Sequence, residues 1–227
     1  MNSTNLILFG SGDFALEVAE YLIERNSDSS TETTIITDVV SQSKDRFDDI
    51  TSALGYKPVY HEEFCGVDDK ANKKVLICIG SAESRHKVYE ELKQANFIFD
   101  SFIHKSAWIS SSAEISEGAV ICPYAFIGAH SIIGPNSVIN VSSTIGHDVI
   151  IGKSVVISPH VNCNGKSRCG DVSFIGAGVV MNPSTSIGAY SKAASGSLIR
   201  DNFDEGFLVA GNPATGRKMF HINDSES

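Results

Sequence analysis

Two adjacent residues in the segment 143–153, STIGHDVIIGK, carry the clearest chemistry in this sequence: His147 and Asp148. A neutral imidazole, titrating ordinarily near about 6.5, accepts a proton at neutral pH. A neighbouring carboxylate orients the ring and stabilises the imidazolium that forms. Together they suit a general base that takes the proton from an amine or hydroxyl nucleophile. A zinc site built from three imidazoles is the alternative use of the histidines, and two of them close in sequence would mark it. His130, His147 and His160 are separated by 17 and 13 residues, so no metal is expected.

A second candidate is Gly10-Ser11-Gly12-Asp13-Phe14-Ala15, between an apolar run (LILF, 6–9) and a helical pattern (13–25). It fits the G-x-G-x-x-[GA] turn, in which backbone N–H groups at a helix N-terminus meet a phosphate. Asp38, towards the end of the second strand (33–40), stands where a ribose-binding acid would be. Alone, these features suggest a dinucleotide enzyme. The region is only about 100 residues long, however, short for the two halves that hold a full dinucleotide. The plain alternative is a structural turn with a helix cap at Asp13.

Two different patterns must position these residues. Residues 1–102 alternate apolar strands (LILF; TTIITDVV, 33–40; VLICIG, 75–80) with helical segments (13–25 and 84–95), which predicts a small parallel α/β, Rossmann-like domain. The polar segment 26–32 reads as an exposed loop. From residue 103 to 219 the period becomes six. Positions 103, 109, 115 and onward to 193 are Ile except for Cys163, Cys169, Met181 and Ala193. Four residues after each stands Ala, Ser, Val or Thr, and the residue directly after is mostly Gly, Asn or Ser, read as turn formers. Neither a helix (3.6) nor a flat strand (2) has this period. Three short strands per coil of an all-β parallel β-helix do. His147, two past Ile145, then falls near a corner, off the inward column. His130 and His160, in fourth positions, and His104 read as solvated. Residues 220–227 read as a polar tail.

A formal charge of −9 opposes binding to nucleic acid or an anionic membrane. No apolar run has the length of a membrane span, and the N-terminus lacks the pattern of a signal peptide. Five cysteines without a CxxC suggest reduced thiols in a cytoplasmic protein. Cys163 and Cys169 take inward positions and read as packing.

The hexads, with FLVAGNPATGRKM (207–219) closing them, resemble the hexapeptide-repeat acyltransferases, whose coils form a left-handed β-helix and assemble as trimers. With the small N-terminal domain, the chain from about residue 5 to 219 resembles the nucleotide-aminosugar N-acetyltransferases and sialic acid O-acetyltransferases of bacterial surface-glycan pathways. The resemblance implies acetyl-CoA as donor, His147 as base with Asp148 supporting it, and a homotrimer. It places the pantetheine arm in a groove between subunits near Val156, Ala177 and Ser195, with an N–H near Ala177 polarising the thioester. Val156 departs from the polar residue frequent in the family. Arg217 and Lys218 are expected to meet the phosphates of coenzyme A. Gly12, Asp13 and Phe14, with Asp38 and the phosphate candidate Arg85, would bind an activated sugar. Phe14 stands where the family often has small residues or His. Two acceptors fit the same base: a nucleotide-linked amino-deoxysugar, such as a 4-amino-4,6-dideoxyhexose, or a hydroxyl of a sialic acid. Zinc-dependent carbonic anhydrases of the same repeat type and a non-catalytic β-helix scaffold are the more distant alternatives.

Overall fold

The computed structural model describes residues 2–28, 32–41, 59–60 and 73–219. Cys65 and the tail 220–227 lie outside them. The chain divides into two compact units: residues 1–80 with 87–101, and residues 81–86 with 102–227.

The first unit holds β1 (Asn2–Phe9), α1 (Asp13–Asp28), β2 (Glu32–Ser41), β3 (Val59–Tyr60), β4 (Lys73–Ile77) and β5 (Ile98–Phe99). It also holds α2 (Ala82–Gln94) from Lys87 onward. The five strands form one parallel sheet in the order β3-β2-β1-β4-β5. Its strands are apolar on both faces, as a parallel sheet covered by helices requires. Ile7, Phe9, Val75 and Ile77 pack with Val88 and Leu92 of α2 in a buried cluster. The elements run longer than their apolar runs suggest: α1 reaches Asp28 and β2 reaches Ser41. Asp38 is therefore inside β2 rather than at its end.

In the second unit, two-residue strands recur every six residues from Phe102–Ile103 to Leu198–Ile199. As far as Val180–Met181, each pairs in parallel with the strand eighteen residues on, as in Ile127↔Ile145↔Cys163↔Met181↔Ile199. Three sheets result, forming a triangular parallel β-helix. The first face carries Ile127, Ile145 and Cys163, the second Ile133, Ile151 and Cys169, and the third Ile139, Ile157 and Ile175. All these side chains are buried inside the prism. Burying each isoleucine is worth roughly 1.5–3 kcal/mol. A hairpin, Phe207–Gly211 with Ala214–Lys218, extends the third face.

The corners work differently from the turn-former reading. The left-handed backbone falls on the fourth hexad position, at Tyr124, His130, Asn136, Ser142, Asp148, Ser154, His160, Lys166, Val172, Ser184 and Tyr190. Each such N–H that can be traced donates to the coil below, as Asp148 N does to Ala129 O and Lys166 N to His147 O, both at 2.9 Å. Those bonds repay the cost of φ > 0 for ordinary residues. The glycine directly after the inward residue serves close approach instead. A Cβ on Gly128 would lie 2.7 Å from the carbonyl carbon of Gly146, and one on Gly134 2.5 Å from the Gly152 oxygen. No helix among the described residues is long and apolar enough to cross a membrane.

Candidate active site

His147 and Asp148 occupy the corner between the first and second faces, in the third and fourth positions of their hexad. Both side chains are largely exposed in the single chain, 63% and 46%. His147 Nδ1 lies 2.7 Å from Asp148 Oδ2. The hydrogen bond from His147 is the main influence holding the Asp148 carboxyl below its usual value, with the charges of His147, His130 and Lys166 acting in the same direction against a smaller effect of burial. An ionised carboxylate only accepts, so Nδ1 carries the proton and, in the neutral ring, Nε2 carries the lone pair. The backbone on both sides is pinned: His147 O accepts Lys166 N, and Asp148 N is donated to Ala129 O.

Directly above, one coil on, is Gly165. A Cβ built there would sit 2.5 Å from His147 Nε2, 2.7 Å from Cε1 and 3.0 Å from Cδ2. The imidazole thus fills the space a side chain at 165 would take. His130, Lys166 and Gly165 were not singled out for this corner from the sequence, although a spacing of seventeen to nineteen residues marks one coil above or below His147.

Ala177 and Ser195 lie elsewhere, stacked one coil apart at the corner between the third and first faces. Ala177 O accepts Gly196 N at 2.9 Å, and the Ala177 N–H has no hydrogen-bond partner among the described residues. Ala177 and Ser195 are exposed. In one chain, the expected base and the expected acyl-group ledge therefore occupy different corners of the prism.

Two expected contacts are placed elsewhere. Val156 is only 4% exposed and packs against Ala82 and Val172, so it offers no side-chain surface to a pantetheine arm. Arg85 is fully buried. Its Nε donates to Asn136 O at 2.7 Å and Nη2 to Asn136 Oδ1 at 3.0 Å, while Asn136 Nδ2 returns bonds to Arg85 O and Ser154 Oγ. That guanidinium ties the first turn of α2 to the prism and is not available to a phosphate. Arg217 and Lys218 are exposed on the last strand, paired with Leu208 and Phe207.

In the first unit a cavity of about 390 Å³ is lined by Gly10, Ser11, Gly12, Asp13, Phe14, Cys78, Ile79 and Gly80. Gly10 has φ +142°, and a Cβ there would fall 2.5 Å from Cys78 O. The carbonyl of Gly12 accepts the N–H of Ala15 at 2.9 Å as α1 begins. Gly12, Asp13 and Phe14 thus line one site. Asp38 does not line it; its carboxylate is bound to Lys73 Nζ at 3.0 Å and to Thr37 Oγ1 at 2.9 Å. The residue at the end of β2 is Ser41, whose hydroxyl meets that of Ser11 at 2.5 Å.

The remaining histidines and cysteines divide simply. His130 and His160 are exposed, whereas His104 is buried and its Nδ1 accepts the Ser106 N–H at 3.1 Å. No group of His, Cys, Asp and Glu able to hold a metal occurs among the described residues. Cys78, Cys122, Cys163 and Cys169 are all buried. Hydrogen bonding with Cys163, then burial, pushes the Cys169 thiol well up, so it stays protonated.

No protein-family model matches this sequence, and no curated protein matches it. Solved structures do. The acetyltransferase domain of PglB from Neisseria gonorrhoeae is 24% identical, with a TM-score of 0.78 over 93% of this chain and 98% of that one. PerB from Caulobacter crescentus, in complex with CoA and GDP-perosamine, is 23% identical, with a TM-score of 0.80 over 94% and 97%. WeeI from Acinetobacter baumannii is 23% identical, with a TM-score of 0.79 over 95% and 100%. The chain shares their fold.

Proposed function

We propose that this chain is an acetyl-CoA-dependent N-acetyltransferase of a nucleotide-linked amino-deoxysugar, such as a 4-amino-4,6-dideoxyhexose, serving surface-glycan synthesis in the cytoplasm. One observation carries the proposal: Nδ1 of His147 is held by Asp148, which leaves Nε2 as an exposed acceptor on a pinned corner. In the reaction, the amine nitrogen attacks the thioester carbonyl carbon, forming C–N and breaking C–S. The amine proton passes to Nε2 and then to the departing thiolate, which leaves as the coenzyme A thiol. Asp148 stabilises the imidazolium between those steps. The unpartnered N–H of Ala177 is suited to the developing oxyanion.

Because that N–H and Nε2 occupy different corners of one chain, the full site is assembled between copies. We assign a homotrimer of left-handed β-helices, each supplying its His147 corner to the Ala177–Ser195 corner of its neighbour, with domains at 1–102 and 103–219. The Rossmann-like first domain holds the nucleotide at Gly12, Asp13 and Phe14, where its glycine turn lines the cavity. Arg217 and Lys218 are assigned to the phosphates of coenzyme A. The shared fold with PerB, solved with CoA and GDP-perosamine, supports this choice of donor and acceptor.

The test is thiol release from acetyl-CoA with UDP-, GDP- and dTDP-linked amino sugars and free sialic acids. Turnover of at least one amino sugar is expected. Turnover of sialic acids alone would transfer the assignment to O-acetylation, and absence of coenzyme A binding by calorimetry would leave a scaffold.

A further inference from the structure

The described glycines of the coils fall into three groups. Gly128, Gly134, Gly146, Gly170, Gly176 and Gly188 would bring a Cβ within 3 Å of backbone atoms of a neighbouring coil or of the chain end packed on it. Gly152 would meet both the backbone and the carboxylate of Asp171, and Gly118, Gly178 and Gly196 have φ near +70°. Gly165 alone belongs to neither pattern. Its φ is outside the left-handed range, and the nearest atoms to its would-be Cβ all belong to one side chain, the imidazole of His147. The scaffold does not require glycine at 165; the histidine does.

We infer that Gly165 is a positioning residue, whose missing side chain leaves room over the His147 ring face and so keeps the ring on Asp148. This rests on the reading of His147 as the base. Proton transfer needs Nε2 within about 2.6–3.2 Å of the nucleophile, so a small displacement of the ring matters. A methyl carbon at 165 would sit over the ring face, 2.5 Å from Nε2, 2.7 Å from Cε1 and 3.0 Å from Cδ2, well inside van der Waals contact. It would force the ring to move and lengthen the 2.7 Å contact with Asp148. That displacement removes the base function and spares the fold, since only the end of one exposed side chain has to yield.

Three measurements on Gly165→Ala and Gly165→Ser test the inference. First, kcat is expected to fall about 100-fold or more, the lower range for loss of a general base, with the coenzyme A dissociation constant within about threefold and the melting temperature nearly unchanged. Second, the pH–rate profile is expected to lose the acidic limb belonging to His147, as it does in His147→Ala. Third, His147 ring resonances in the full-length protein are expected to shift, with carbethoxylation of that histidine slowed about tenfold. Turnover of Gly165→Ala within threefold of wild type would overturn the inference. Should wild type transfer no acetyl group at all, the proposed function fails separately. The ring shifts and carbethoxylation rate then still decide on Gly165, and unchanged values would overturn it.

Discussion

Two corners of the same prism, built from identical hexad positions, have opposite character. The corner joining the first and second faces carries His130, His147, Asp148 and Lys166: large, polar and charged. The corner joining the third and first faces thins from Tyr124, which is 70% exposed, through His160 to Gly178 and Gly196, where only Ala177 and Ser195 bear side chains. One corner presents a base, and the other presents bare backbone. The scaffold dictates neither, because the third and fourth positions point out of the core and the fourth-position N–H bonds to the coil below whatever side chain stands there. Chemistry is written on positions that folding leaves free.

The strongest test of that contrast removes the base. His147→Ala is expected to lose about 10²–10⁴-fold in acetyl transfer, with an unchanged oligomeric state by light scattering. Mixing is the next test. His147→Ala and Ala177→Trp chains, each inactive alone, should regain roughly a quarter of wild-type activity after co-refolding, if sites form between copies of a cyclic oligomer. No recovery would put the whole site within one chain. A stability contrast follows. Gly146→Ala drives a Cβ to 2.9 Å from Gly165 N, an overpacking expected to cost about 1–3 kcal/mol in denaturant unfolding, whereas Gly165→Ala should cost far less.

The smallest effect is on stability against pH. The bond from His147 lowers the folded-state value of Asp148. Its contribution is thus present above the ordinary carboxylate value and lost as pH falls through the lowered one. The pair is exposed, so melting temperatures of wild type and Asp148→Asn should stay together from neutral pH downward. Their activities should diverge already at neutral pH, where the variant loses the partner that stabilises the imidazolium.

The prism was legible because one local rule repeats in every hexad, so Cys163, Cys169 and Met181 could replace isoleucine without obscuring it. The left-handed fourth positions were not legible, since Lys166, Val172 and Tyr190 have no intrinsic preference for that conformation; the hydrogen bond to the coil below imposes it. The separation of His147 from Ala177 was countable. They stand thirty residues apart, five hexads, and only multiples of three return to the same corner. Arg85 misled because its sequence, at a helix start after a strand, is the same for a phosphate ligand as for a tie to Asn136. Asp38 misled because an acid late in an apolar run reads as its end, whereas Val39, Val40 and the fully buried Ser41 carry the strand past it.

The eighteen-residue register also makes the length of this unit a discrete variable. An insertion of six would hand His147 to the next corner and carry every later residue round by a third of a turn. An insertion of eighteen would leave each residue on its own corner and only raise the stack by one storey. Homologues that keep the same chemistry are therefore expected to differ between their hexads by whole coils, or by loops that leave the count untouched.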